Sequence, residues 1–148
     1  MKIEEIKFEY ALGLVEEFYK KHWNSDWRKA TEELSLNKGA YLQLNEQGML
    51  KTFVAFHEEY EPMGYCNVVL SPGMHTEAPV AIVDALFVDD EYRGKGVAEK
   101  LLRDAGEACK AMGAISMNMG FRAGDDEGSK LIKRMGFKHV ETTYSRIL

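Results

Sequence analysis

Apolar residues recur through positions 5–22 at Ile6, Tyr10, Leu14, Phe18 and Tyr19, a spacing that predicts an amphipathic helix. Asn24 or Ser25 can cap a second, short helix carrying Trp27, Ala30 and Leu34. Residues 39–50 predict another helical turn or two, with Tyr41, Leu42 and Leu44 facing inward and Gly48 as the stop. The period then shortens. Residues 52–56 and 63–70 read as two strands of a hairpin around an acidic turn at 58–62. Ser71, Pro72 and Gly73 end the second strand, and a loop through His75 and Glu77 leads to a third strand at 80–88. Residues 94–112 predict a long helix that buries Val97, Leu101, Ala105, Ala108, Cys109 and Met112 and stops at Gly113. A short strand at 114–119, a helix at 125–135 ended by Gly136, and a last strand at 137–148 complete the chain.

This order implies an α/β fold. The strands at 80–88 and 114–119 are joined by a helix, so they should run parallel through a right-handed crossover. The strands before them form an antiparallel meander. The expected architecture is therefore a central mixed, mostly antiparallel sheet with helices on both faces. A length of 148 residues fits a single domain spanning 1–148.

Composition narrows the class rather than the function. Hydrophobic residues at 45% and charged residues at 29% describe an ordinary globular protein. The opening Met-Lys-Ile-Glu-Glu-Ile-Lys places acids where a signal peptide would be apolar, and no run approaches the ~20 apolar residues of a membrane span. The two cysteines, Cys66 and Cys109, have no metal-ligand spacing and read as free buried thiols, so no metal and a cytoplasmic location are expected. A net charge of −5 disfavours nucleic acid as a partner and favours a cationic one. Monomer and homodimer remain open.

Against this acidic background, Arg93, Lys95, Lys100 and Arg103 form a local cationic knot. It follows the strand at 80–88 and the acidic turn Asp89-Asp90-Glu91-Tyr92, and it contains Arg93-Gly94-Lys95-Gly96-Val97-Ala98 at the start of the long helix. A small-residue turn at a helix start leaves main-chain N–H groups uncovered at the positive end of the helix dipole. That is a site for a phosphate-bearing ligand, which glycine lets approach the backbone. Two glycines are poor helix formers and gain nothing here without such a ligand.

In this setting the chain resembles the GCN5-related N-acetyltransferases (GNAT). Their pyrophosphate loop reads Arg or Gln, two residues, Gly, one residue, Gly or Ala, and Arg93, Gly96 and Ala98 fill those positions. Leu86-Phe87-Val88 before the loop, Leu101-Leu102 after it, and Gly136-Phe137 about forty residues on extend the resemblance over about the whole chain. The segment from Tyr41 through His75 to Arg93 is also similar to small acetyltransferases of bacteriophages. The resemblance implies acetyl-coenzyme A as co-substrate. By analogy the amides of 94–98 hold its pyrophosphate, and the edge of Leu86, Phe87 and Val88 pairs with the pantetheine arm. Asp125 stands where the family often has Asn, Ile132 where many members have a Tyr that protonates the leaving thiolate, and Val80 where a catalytic Glu is frequent.

Acetyl transfer to a primary amine by direct attack needs a neutral amine and a route for its proton. Asp84 is the one charge in residues 80–88 and, by alternation, shares a face with Leu86 and Val88. A buried carboxylate there either raises its pKa or finds a partner. It is the candidate base, or else a residue that merely orients a neighbour. His75 on the preceding loop is a second candidate base or a solvated side chain. Tyr144 on the last strand, Ser129 or solvent could protonate the thiolate. Trp23, Trp27 and Tyr41 either wall the pocket for the acceptor, a cationic small-molecule or protein amine, or pack the core. A non-catalytic acyl-coenzyme A binding or protein-interaction module is the alternative that the missing Tyr and Glu leave open.

Overall fold

A computed structural model describes residues 1–24 and 36–148 of the chain. The short helix expected around Trp27, Ala30 and Leu34 lies outside the described residues. In chain order the elements are β1 (Lys2–Ile6), α1 (Phe8–Asn24), α2 (Lys38–Glu46), β2 (Leu50–Phe56), β3 (Pro62–Ser71), β4 (Val80–Val88), α3 (Val97–Ala111), β5 (Met117–Met119) and α4 (Asp126–Arg134). The strands form one sheet in the order β1-β2-β3-β4-β5. The first four pair antiparallel, and β5 joins β4 in parallel. The expected mixed sheet is therefore observed.

Each face of the sheet carries its own core. On one side α3 packs Val97, Leu101, Leu102, Ala105 and Cys109 onto Cys66, Val68, Leu70, Ala81, Val83 and Val88, with Leu131 and Met135 of the α4 region against the same cluster. On the other, α1 packs Phe8, Ala11, Val15, Phe18 and Tyr19 onto Val54, Phe56, Tyr65 and Phe87, and α2 adds Tyr41, Leu42 and Leu44. Thr52 and Asn67 are the buried polar residues among the described ones. Thr52 Oγ1 donates to Asn67 Oδ1 at 3.0 Å, and Asn67 Nδ2 donates to the Tyr19 hydroxyl at 2.8 Å.

Three expectations are corrected. Residues 2–6 form an edge strand, and the helix begins at Phe8 rather than near residue 5. The Lys-Ile-Glu-Glu-Ile pattern conceals β1 because edge strands carry charge; Lys51 Nζ reaches Glu5 Oε1 from the neighbouring strand at 2.7 Å. The buried stripe of α1 is accordingly Phe8, Ala11, Val15, Phe18 and Tyr19, while Tyr10 and Leu14 are exposed. Met112, expected in the core, is also exposed at the end of α3. Finally, residues 137–148 form no strand. Their β-branched and aromatic residues, Val140, Tyr144 and Ile147, are exposed, and β propensity without a neighbouring ladder does not make a strand.

Candidate active site

The site forms where β4 parts from β5. The β4–β5 ladder runs only from Ala81↔Met117 to Val83↔Met119, whereas β4 stays paired with β3 as far as Gly64↔Val88. From residue 84 onward, the edge of β4 that faces β5 has no strand beside it among the described residues. Alternate N–H and C=O groups of 85–88 therefore point into the gap. The opening is a cleft of ≈ 1620 Å³ lined by β4 residues 83–88, residues 92–94 and 96–99 of the following turn, and residues 119–125 together with parts of α4, with Thr143, Tyr144 and Ser145 also along it.

A β-bulge sits at the point of divergence. Asn67 faces Ala85 and Val68 faces Val83, so Asp84 is an extra residue with no partner in the β3–β4 register. The bulge reverses the alternation. Ala81, Val83, Leu86 and Val88 all pack on the α3 side, while Ala85 and Phe87 pack on the α1 side. Asp84 thus does not share the face of Leu86 and Val88, as strict alternation had implied. It is exposed to the cleft rather than buried, and its Oδ2 accepts the hydroxyl of Tyr41 at 2.6 Å.

One phenol, Tyr41, is bonded to that carboxylate, and two more, Tyr19 and Tyr65, feel its charge. Burial pushes the Tyr19 hydroxyl up to about 12. Burial also raises Tyr65 and Tyr41, and for Tyr41 the adjoining Asp84 carboxylate adds to it. All three remain neutral near pH 7. His22, which sequence reading passed over, lines the cleft at the end of α1 with Nδ1 at 3.0 Å from the Tyr65 hydroxyl and its ring against Phe87. Its spacing from Phe18 and Tyr19 on one helix face is the signal that could have found it.

At the other end of β4, residues 90–92 make a short turn of 3-10 helix and the chain enters the loop. Gly94 and Gly96 have φ of +73° and +78°, conformations that side chains rarely adopt, and a Cβ on either would meet nothing within 4 Å. Gly96 is the N-cap of α3 and offers no side-chain cap. Its carbonyl takes the first helical bond from the Lys100 amide at 3.0 Å, so the amides of Val97, Ala98 and Glu99 have no carbonyl one turn back in the helix. Open space ahead of uncapped amides is what a phosphate group needs.

The cations behave differently from expectation. Arg93 Nη1 pairs with Asp90 at 2.8 Å, its Nε donates to the Val88 carbonyl at 3.1 Å, and its guanidinium lies over Phe87. Lys100 pairs with Asp104, and Arg103 with Glu99, which also receives Arg134. The knot read from sequence is largely neutralised internally. Lys95 lies over the Tyr92 ring.

The remaining sequence candidates divide. Leu86, Phe87, Val88, Arg93, Gly94, Gly96, Val97, Ala98, Asp125 and Tyr144 line the cleft with Asp84; Lys95 and His75 do not. His75 is exposed on the segment between β3 and β4. Asp125 is committed as the N-cap of α4, accepting from the Gly128 amide at 2.8 Å. Tyr144 is 90% exposed. Among the described residues no cluster of three or more His, Cys, Asp or Glu could hold a metal, and no helix is long and apolar enough to cross a membrane.

Comparison with known proteins bears on this arrangement. No curated relative matches the chain in sequence. Solved structures do match its fold. An Agrobacterium tumefaciens str. C58 protein assigned as an acetyltransferase covers 100% of both chains with a TM-score of 0.79 at 17% identity. An aminoglycoside acetyltransferase from an uncultured soil metagenomic sample, solved with sisomicin, covers 99% of this chain and 96% of its own, with a TM-score of 0.77 and 16% identity. The enzyme AAC(6')-Iy, solved with the bisubstrate analog CoA-S-monomethyl-acetylneamine, covers 99% and 97%, with a TM-score of 0.72 and 14% identity. At such identities these neighbours establish the fold alone. The family is established by sequence: the model of the Acetyltransferase (GNAT) family matches residues 12–137, and the chain belongs to that family of acyltransferases.

Proposed function

We propose that this chain moves the acetyl group of acetyl-coenzyme A to a primary amine by direct attack in a ternary complex. The observation that carries the reading is the position of Asp84: a cleft-facing carboxylate on a bulge, at the point where β4 and β5 separate. In this reading the amides of 94–98 hold the pyrophosphate and the open edge of 86–88 pairs with the amide-bearing arm. Arg93 holds the turn through Asp90, the Val88 carbonyl and the Phe87 ring, and Asp125 shapes the loop from the start of α4. The acceptor arrives as an ammonium ion, which the Asp84 carboxylate attracts and then relieves of a proton. The amine nitrogen bonds to the carbonyl carbon as the carbon–sulfur bond breaks, the acylated nitrogen releases its second proton to solvent, and the thiolate takes a proton from Tyr144 or solvent, since Ile132 supplies none.

A cysteine-linked route has little support. Cys66 and Cys109 are buried, burial raises both thiols, and neither lines the cleft. One structural neighbour is an aminoglycoside acetyltransferase solved with sisomicin and another is solved with an acetylneamine bisubstrate analog, so cationic amino sugars are the first acceptors to try, followed by polyamines and lysine peptides. Release of free thiol from acetyl-coenzyme A, followed across that panel, tests the assignment. Asp84→Asn should lower turnover by roughly 10² at unchanged donor affinity. A near-normal rate in that variant would remove Asp84 from the role.

A further inference from the structure

Asp84 has one hydrogen-bonding partner among the described residues, the Tyr41 hydroxyl on Oδ2. At 2.6 Å this is a short, charge-assisted bond. Tyr41 is not part of the cleft lining, and its hydroxyl bonds Asp84, which is. Its own position is closely held. The ring stacks on buried Phe8 with centroids 4.9 Å apart and planes 14° from parallel. Asn37 caps the start of α2 by accepting from the Ala40 amide at 3.1 Å, and the Asn45 side chain near its end accepts from the Phe8 amide at 3.3 Å, tying α2 to the start of α1. A bulged residue lacks a cross-strand neighbour to fix its side chain. The geometry therefore points to Tyr41 as a positioning residue for acetyl transfer, which we propose holds one carboxylate oxygen of Asp84 so that the other faces the incoming amine.

This inference rests on Asp84 being the base. It also assigns a task to the order of elements: α2, far from β4 in sequence, delivers one hydroxyl to the bulge. Raised by burial, that hydroxyl stays a donor and does not compete for the proton of the amine.

Tyr41→Phe removes the oxygen and keeps the ring on Phe8, so folding should survive and can be checked by Tm. The kinetic test uses the best acceptor for the wild type from sisomicin, spermidine and a lysine peptide, in wild type, Tyr41→Phe, Asp84→Asn and the double variant. The expected result is about a tenfold fall in kcat for Tyr41→Phe with donor KM unchanged, and no further fall when it is added to Asp84→Asn. A merely structural tyrosine would instead slow the Asp84→Asn enzyme by the same factor, which would overturn the proposal, as would an unchanged kcat. If Asp84→Asn itself runs near normally, or none of the amines is acetylated, the underlying reading of the base fails and this inference falls with it.

Discussion

The two ends of the cleft-facing half of β4 are built from different materials. At the Val88 end, where we place the coenzyme A tail, the surface is main chain: uncapped amides at the start of α3, two glycines with positive φ, and a β4 edge from which β5 has parted. At the Asp84 end the surface is side chains that meet only in the fold: Tyr41 from α2 bonds the carboxylate, Tyr19 from α1 packs on Tyr65 from β3, and His22 from α1 bonds the Tyr65 hydroxyl. The first arrangement fits any ligand with the same phosphate tail. The second can change from chain to chain without disturbing the first, as a transferase with one donor and many possible acceptors requires.

The comparison is broken most directly at Gly96. Gly96→Glu places a side chain, and a negative charge, in the open space ahead of the amides, and it forces a residue with a Cβ into φ +78°. Binding of coenzyme A, measured by calorimetry, should fall by at least about a hundredfold, with Tm lowered only modestly. Arg93→Ala gives the contrast. Its guanidinium is already engaged by Asp90, the Val88 carbonyl and the Phe87 ring, so its loss should loosen the turn and weaken binding by only about tenfold. Equal losses in the two variants would mean that side-chain charge, not main chain, dominates this end.

The same contrast explains what could be read in advance. The strand at 80–88 and the loop after it announce themselves because an apolar run, an acidic turn and paired glycines are local signals. β1 is hidden because its charged pattern looks like the beginning of the helix that follows it. The expected strand at 137–148 has the right residues but no ladder to join. The bulge at Asp84 is invisible to two-residue alternation, which is why that residue was placed on the wrong face. Tyr41 and Asp84 are joined by packing rather than by spacing, with |i−j| = 43, and no sequence pattern links them.

On the acceptor side, Asn67 sharpens the comparison. It is fully buried, and its amide joins the Thr52 hydroxyl to the Tyr19 hydroxyl beneath the three-phenol cluster. Asn67→Ala would strand both hydroxyls away from water and cost about 2–3 kcal/mol, read as a lower denaturation midpoint. Acceptor KM should worsen as Tyr19 shifts, while coenzyme A affinity stays unchanged. A parallel loss of donor affinity would show that the two ends are not independent.

The smallest effect is expected at the contact that joins them. Lys21, near the end of α1, places Nζ at 2.8 Å from Oδ2 and 3.0 Å from Oδ1 of Asp89, at the turn that leads into the glycine loop. Lys21 together with the Asp90 amide holds the Asp89 carboxyl below its ordinary range. A carboxyl depressed by folding binds fewer protons in the native state than in the unfolded one. Its contribution to stability is therefore present above the unfolded value near ~3.9 and is lost as pH falls through the lower folded value. Asp89→Asn should accordingly lower Tm slightly at neutral pH, with the difference from wild type closing under acid conditions. Because Lys21 is largely exposed, the neutral-pH gap should also shrink in high salt. A gap that persists in acid would assign the loss to the cap on the Asp90 amide, and the ion pair between α1 and the turn before the glycine loop would then carry no measurable stability.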